Sequence, residues 1–401
     1  MNRTCEIHDT ILQDDLKLRE RPLKVLAAVD SFKGSMTSVQ AGMAVKKGLK
    51  KNYKNCEIEV VPVADGGEGT VEALTLGMNG TIEKVNVTGP LGSMIEASYG
   101  RIAESNTAII EMSAAAGITL VNESDRNPLH TTTYGVGELI RDAIKKGCRK
   151  FIVGIGGSAT NDGGIGMLEA LGYSFLDADG KQVPYGANGL ALIETITDEH
   201  VMPELKECKF RIACDVTNPL CGANGCSAVF GPQKGATQTM IPKMDTWLMN
   251  YAKKTKEKYS GANPNQAGTG AAGGLGFAFL SYTNAVLESG VKIILEETKL
   301  ESFIKNADFV ITGEGRLDGQ TVMGKAPIGV AEIAKKHKKK VLAFGGCVAE
   351  DATLCNQHGI DAFFPILRTV TTLKEAMDFN HAKENLSAAV EQVFRLIQSF
   401  K

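Results

Sequence analysis

The segment Asp308-Phe-Val-Ile-Thr-Gly-Glu-Gly-Arg-Leu-Asp-Gly-Gln-Thr321 carries the densest chemistry in the chain. A short apolar strand is expected to run into a glycine-spaced loop bearing Glu314, Arg316 and Asp318, where α/β proteins place their active sites. Carboxylates there can hold a metal ion or take a hydroxyl proton, a guanidinium can clamp an anion, and glycines let phosphate approach the backbone. Those are the needs of phosphoryl transfer. On its own the segment could equally be a tight turn with solvated charges.

The same mixture recurs at three distant places. Asp30-Ser-Phe-Lys-Gly-Ser35 follows the apolar run Lys24-Val-Leu-Ala-Ala-Val29, and Asp65-Gly-Gly-Glu-Gly-Thr70 follows Ile58-Glu-Val-Val-Pro-Val-Ala64. Gly154-Ile-Gly-Gly-Ser-Ala-Thr-Asn-Asp-Gly-Gly164 follows Phe151-Ile-Val153. Four strand-to-loop transitions of this kind predict one composite site.

Each candidate residue has a chemical and a plainer reading. Lys33 can neutralise a phosphoryl group or a substrate carboxylate, or be a surface lysine after a strand. Asp65 and Glu68, flanking Gly66-Gly67, can hold magnesium through water or stabilise the first turn of the next helix. Asp215, in Ala213-Cys-Asp-Val-Thr-Asn-Pro219, can act as general base or organise the Asn218-Pro219 turn. Gly273 and Gly274 can present backbone amides to a phosphate or let a helix pack closely.

Two nucleotide motifs almost match. Gly154-Ile-Gly-Gly-Ser-Ala159 fits G-x-G-x-x-A after a strand, with Asp177 downstream as a possible ribose ligand. Asp162 in the same loop would repel a pyrophosphate unless a metal intervened, which favours a nucleoside triphosphate over NAD. Gly319-Gln-Thr-Val-Met-Gly-Lys325 has the first half of a P-loop, but Ala326 stands where the magnesium-binding hydroxyl belongs. Lys325 is therefore expected either to approach a phosphate as a point charge or to be an ordinary lysine at a helix start.

The elements that position these loops are legible in outline. Helices are expected at about 38–49, 69–76, 131–146, 245–259, 272–282, 326–337 and 382–399. Strands follow from the apolar runs already named and from 210–213, 308–312, 341–345 and 362–364. Residues 80–111 read as shorter strands. With 401 residues, two domains are the default. The β/α style of both ends differs from the middle, which predicts a discontinuous domain made from both chain ends, with an insert.

Composition narrows the class. The 44 glycines cluster in loops and the net charge is -2, so nothing draws the whole chain to nucleic acid or an anionic membrane. The basic run Lys335-Lys-His-Lys-Lys-Lys340 fits a solvated helix end. No apolar run reaches the roughly 18 residues of a membrane span, and the N-terminus lacks a signal-type core, so a cytoplasmic protein is expected. Nine cysteines without a C-x-x-C pair or nearby histidines read as reduced thiols, Cys214, Cys221 and Cys226 included.

Together, Asp30-Ser-Phe-Lys-Gly-Ser, Asp65-Gly-Gly-Glu-Gly-Thr, Gly156-Gly-Ser-Ala-Thr-Asn-Asp-Gly-Gly164, Asp215-Val-Thr-Asn-Pro-Leu220, Ala272-Gly-Gly-Leu-Gly276 and Thr312-Gly-Glu-Gly-Arg-Leu-Asp-Gly-Gln-Thr321 resemble the bacterial class I glycerate kinases, from about Lys24 to near the C-terminus. The resemblance implies ATP-dependent phosphorylation of D-glycerate, at the 2-hydroxyl, with Mg2+. It also implies an α/β fold of two domains: a discontinuous, restriction-enzyme-like (Rossmann-like) domain of residues 23–86 plus 293–401, and an inserted flavodoxin-like domain of residues 87–292, with the site in the cleft. Residues 1–22 would be an N-terminal extension without an assigned role. On the matched motifs, Lys33 and Arg316 would bind the glycerate carboxylate or γ-phosphate, and Asp215 or Asp318 would take the hydroxyl proton. Asp65, Glu68 or Asp162 would serve magnesium. Gly156, Gly157, Ser158, Asn161, Gly163, Gly164, Gly273, Gly274 and Lys325 would cradle ATP. The expected partner is the small acid alone, on a monomer or homodimer, with neither nucleic acid nor membrane.

Overall fold

The computed structural model describes residues 21–67 and 69–400; Glu68 and all but the last two residues of the expected extension lie outside them. The chain divides into two compact units. One combines the described residues up to Asp65 with those from Leu295 onward, and the other is Gly66–Ile294.

The strands, in chain order, are β1 (Lys24–Ala27), β2 (Glu57–Val60), β3 (Thr81–Thr88), β4 (Met94–Ile102), β5 (Thr107–Glu111), β6 (Lys150–Gly154), β7 (Ser174–Leu176), β8 (Thr195–Thr197), β9 (Lys209–Ala213), β10 (Ala285–Glu288), β11 (Phe309–Leu317), β12 (Lys340–Val348) and β13 (Ala362–Pro365). In the discontinuous unit they form the sheet β2-β1-β11-β12-β13, parallel at every pairing. Counted within the unit that order is 2-1-3-4-5, the flavodoxin-type arrangement with its ligand crevice at the carboxyl strand ends. The flavodoxin-type order thus belongs to the discontinuous unit, not to the insert.

Local sequence explains the frame. Thr37 accepts from the Gln40 amide while the Gln40 side chain accepts from the Thr37 amide, a capping box that starts the helix Ser38–Asn52. Its Ala41, Ala44, Val45 and Leu49 are buried at helical spacing. They share a core with Leu386, Val390 and Phe394 of the closing helix Phe379–Ser399. Gly48 lets the two helices touch, since a Cβ there would stand 2.3 Å from the Ser387 carbonyl oxygen.

The inserted unit has the sheet β10-β9-β6-β5-β4-β3, in which β3, β4 and β5 pair antiparallel and the rest parallel. Phe151 and Phe210 stack at 4.7 Å between neighbouring strands, against Phe279. The first crossing falls after Asp65, where 86/87 was expected. The physical reason is that the helix Thr70–Gly77 buries Val71, Ala73 and Leu74, its Val71 amide donates to Glu111 at the end of β5, and β3 pairs with β4. Residues 66–86 are therefore part of the insert. No helix among the described residues is long and apolar enough to cross a membrane.

Candidate active site

In the discontinuous unit the backbone past β1 stays bound to β11: the Ala28 amide donates to the Ile311 carbonyl at 2.8 Å, and the Asp30 amide to the Gly313 carbonyl at 2.9 Å. Asp30 is thereby fixed beside Glu314. The loop then turns tightly. Phe32 and Met36 exchange backbone hydrogen bonds at 2.9 and 3.0 Å, both side chains are buried, and Gly34 takes the positive φ the turn requires. Lys33 stands at the exposed tip and pairs with Asp65 at 3.5 Å.

Glu314 and Arg316 lie on a strand, where a loop was expected. β11 continues to Leu317, with Glu314 opposite Gly345 and Arg316 opposite Cys347 of β12. Glycine makes the extension possible: a Cβ on Gly313 would meet the Phe344 carbonyl oxygen at 2.1 Å, and one on Gly346 the Gly315 oxygen at 2.5 Å. Glu314 is 8% exposed and accepts from the Thr321 hydroxyl at 2.8 Å and from Lys325 at 3.2 Å. Burial pushes its pKa up, and those two donors pull it back. Asp318 accepts from Arg316 Nε at 2.9 Å and from the Gln320 amide at 3.0 Å.

Lys33, Arg316 and Lys325 converge with Asp30 and Glu314 on one cavity of about 490 Å³, within the range of about 300–1,000 Å³ usual for small-molecule sites. Its opposite wall is apolar, built by Ile366, Leu367, Leu373 and Met377, which sequence reasoning missed because they follow the last strand in a stretch without periodicity. Sequence reasoning also assigned no role to Asp30, although its motif was recognised. It is 5% exposed, and burial, then the charge of Asp65, pushes its pKa up to about 7.

The second group of candidates lies in the inserted unit and separates into an open and a closed half. Gly156 and Gly157 are exposed, and a Cβ on Gly156 would meet nothing within 4 Å. Ser158 is buried and accepts from Lys234 Nζ at 2.7 Å. From Thr160 to Gly164 the loop is core. Asn161 donates to the Ser227 hydroxyl at 3.0 Å. The fully buried Asp162 accepts from the Thr133 amide and hydroxyl, each at 2.8 Å, and from the Gly164 amide at 3.1 Å. Its carboxylate is committed to holding the loop, a correction to the metal role expected of it. The Thr133 hydroxyl serves Asp162; the helix it precedes, Tyr134–Lys145, has no side-chain cap.

Gly273 and Gly274 are likewise closed. Ala272, Gly273 and Gly274 all have positive φ in a kink, and Cβ atoms on the two glycines would stand 2.1 Å from the Thr160 carbonyl oxygen and 2.7 Å from Gly163 Cα. Together with Gly163 and Gly164 they form a loop-to-loop contact that leaves no space for a phosphate. Asp215 is exposed after β9 and accepts from the Gly290 amide at 3.2 Å.

Lys234 was not anticipated, since Gly231-Pro-Gln-Lys-Gly235 reads as a surface turn. It is 2% exposed, donates to Ser158 and to the Thr160 carbonyl at 2.7 Å, and has its pKa lowered to about 8 by burial.

The glycerate kinase family model matches residues 25–398. The chain belongs to the glycerate kinase family. It is 44% identical over 375 residues to the glycerate kinase of Haemophilus influenzae, covering 94% of this chain and 99% of that one. The glycerate 2-kinase of Escherichia coli K12 is also 44% identical, over 92% of this chain and 97% of its own. A crystal structure from Salmonella typhimurium LT2, of a protein assigned as glycerate kinase 2, superposes with a TM-score of 0.88 at 42% identity, covering 94% of this chain and 99% of that one.

The donor set can be tested against a divalent cation. Magnesium takes oxygen ligands, usually one or two carboxylates plus substrate phosphates. Asp65, which pairs with Lys33 at 3.5 Å, offers a carboxylate of that kind. Among the described residues no group of three or more His, Cys, Asp or Glu side chains is placed to hold a metal ion.

Proposed function

We propose that this protein transfers the γ-phosphoryl group of ATP to the 2-hydroxyl of D-glycerate, giving 2-phospho-D-glycerate and ADP. The observation that carries the reading is the convergence of Lys33, Arg316 and Lys325 on one cavity that also holds two buried carboxylates. A site for a neutral ligand would have no use for three cations around buried acids, whereas an anionic acid and a triphosphate need them. Membership of the family and the names of the relatives point the same way.

Arg316 grips the glycerate carboxylate or the transferring phosphoryl group, with Asp318 on its Nε holding the guanidinium plane in place. Lys33 at its loop tip adds a mobile positive charge, and Lys325, steadied by Glu314, adds a second. Asp65 would hold a Mg2+ ion carried by the nucleotide, and that ion would supply charge neutralisation of the phosphates. In the inserted unit the open part of the glycine loop, Gly156 and Gly157, is the part suited to a nucleotide.

The test is phosphorus NMR of the product formed from purified protein, D-glycerate and Mg-ATP. A 2-phosphoglycerate resonance is expected. A 3-phosphoglycerate resonance would correct the position, and ATP left intact would overturn the kinase reading.

A further inference from the structure

The two buried carboxylates that line the cavity are not equivalent. Glu314 is matched by a lysine and a hydroxyl; the half-buried Asp318 beside Arg316 is matched by an arginine and an amide. Asp30 accepts one hydrogen bond, from the Ser31 amide to Oδ1 at 2.6 Å, and its Oδ2 has no hydrogen-bond donor among the described residues. Its position is rigid because the backbone pairs with Gly313, and because the Ser38 hydroxyl bridges the Val29 carbonyl at 2.6 Å and the Val63 amide at 3.0 Å. It lines the cavity with Lys33 and Arg316, the groups that would bring the acid substrate in.

We infer that Asp30 is the group that takes the proton from the substrate hydroxyl. The inference rests on the kinase reading above. In the step, the hydroxyl oxygen bonds to the γ-phosphorus while the bond from that phosphorus to the β,γ-bridging oxygen breaks. The electron pair of that bond leaves on ADP, and the hydroxyl proton passes to Asp30 Oδ2. A carboxylate already held by an arginine or a lysine is a poorer acceptor, because its negative charge is already neutralised. The groups that face Asp30 act in opposite senses: Asp65 and Glu314 raise its proton affinity and Lys33 lowers it.

The experiment is the pH dependence of kcat and kcat/KM for D-glycerate between pH 5.5 and 9 in wild type, Asp30→Asn and Asp318→Asn, with melting temperatures recorded at each pH. Wild-type kcat/KM is expected to fall on the acid side of about pH 7 with unit slope. Asp30→Asn should lose about 100- to 10,000-fold in kcat, with KM changed less than about threefold, and its residual rate should lack the acid limb. Asp318→Asn should keep the limb and lose affinity instead. Asp30→Asn retaining more than a tenth of wild-type kcat, an acid limb that survives in Asp30→Asn but vanishes in Asp318→Asn, or a wild type without any acid limb would each overturn the assignment. The melting temperatures show whether the Asn variant is folded where its rate is read. A wild type that forms no phosphoglycerate would overturn the kinase reading itself, a result separable from active wild type with active Asp30→Asn.

Discussion

Asp30 and Asp162 are both aspartates in glycine-bearing loops that follow parallel strands, and both are buried. Asp162 receives the Thr133 amide and hydroxyl and the Gly164 amide; Asp30 receives the Ser31 amide alone. The first ties its loop to the start of a helix, and the second leaves an oxygen facing a cavity. Burial raises both pKa values, so burial does not distinguish them. What separates a structural acid from a reactive one here is how many donors have been spent on it.

The strongest way to break this contrast is Asp162→Ala. It would leave buried N–H and O–H donors without an acceptor, a loss of about 3–5 kcal/mol by the usual cost of breaking a buried charged network. The single tryptophan, Trp247, lies in the inserted unit, so its fluorescence during urea unfolding reports that unit's stability. A variant within about 1 kcal/mol of wild type would show that Asp162 is not the organiser described here.

Arg316→Ala tests the other side. It removes the cation that Asp318 orients, and about 100- to 1,000-fold should be lost in kcat/KM for D-glycerate, roughly 3–4 kcal/mol of transition-state stabilisation. The urea midpoint should hardly move, since the Arg316 side chain is 65% exposed. A large stability loss with intact kinetics would reverse the roles of the two units.

The strands that carry these residues were legible because Val25-Leu-Ala27, Phe151-Ile-Val153 and Phe309-Val-Ile311 are short apolar runs, each preceded by a charged residue. The extension of β11 through Glu314 and Arg316 was not, because it depends on Gly345 and Gly346 of a neighbouring strand that admit the pairing. Five candidates share the cavity unit: Lys33, Asp65, Arg316, Asp318 and Lys325. Asn161, Asp162, Gly163, Gly164, Gly273 and Gly274 look like a phosphate loop in sequence because a loop that receives another loop needs the same small residues. Only the backbone contact of Gly273 with Thr160 separates the two cases. Lys234 was invisible for a related reason: its burial is set by Ser158 and Thr160, far away in sequence.

A finer contrast follows from linkage, between Asp30 in one unit and Lys234 in the other. Asp30 has its pKa raised to about 7, so between about pH 4 and 7 the folded state holds a proton that the unfolded state has lost. Its contribution to stability is full below pH 4 and declines until about pH 7. Lys234 has its pKa lowered to about 8, so between that and about 10.5 the unfolded state binds the extra proton, and stability rises with pH across that window. Asp30→Asn should therefore be more stable than wild type at pH 8, by about 1–3 kcal/mol allowing for relaxation around the charge, and show little difference at pH 4. Lys234→Met should abolish the rise above pH 8 while losing its two hydrogen bonds at every pH. Urea midpoints read by far-ultraviolet circular dichroism at pH 4, 6, 8 and 10 would separate these effects. If Asp30→Asn proved less stable than wild type at pH 8, Asp30 would be satisfied by its surroundings in the way Asp162 is, and the distinction between the two aspartates would fall.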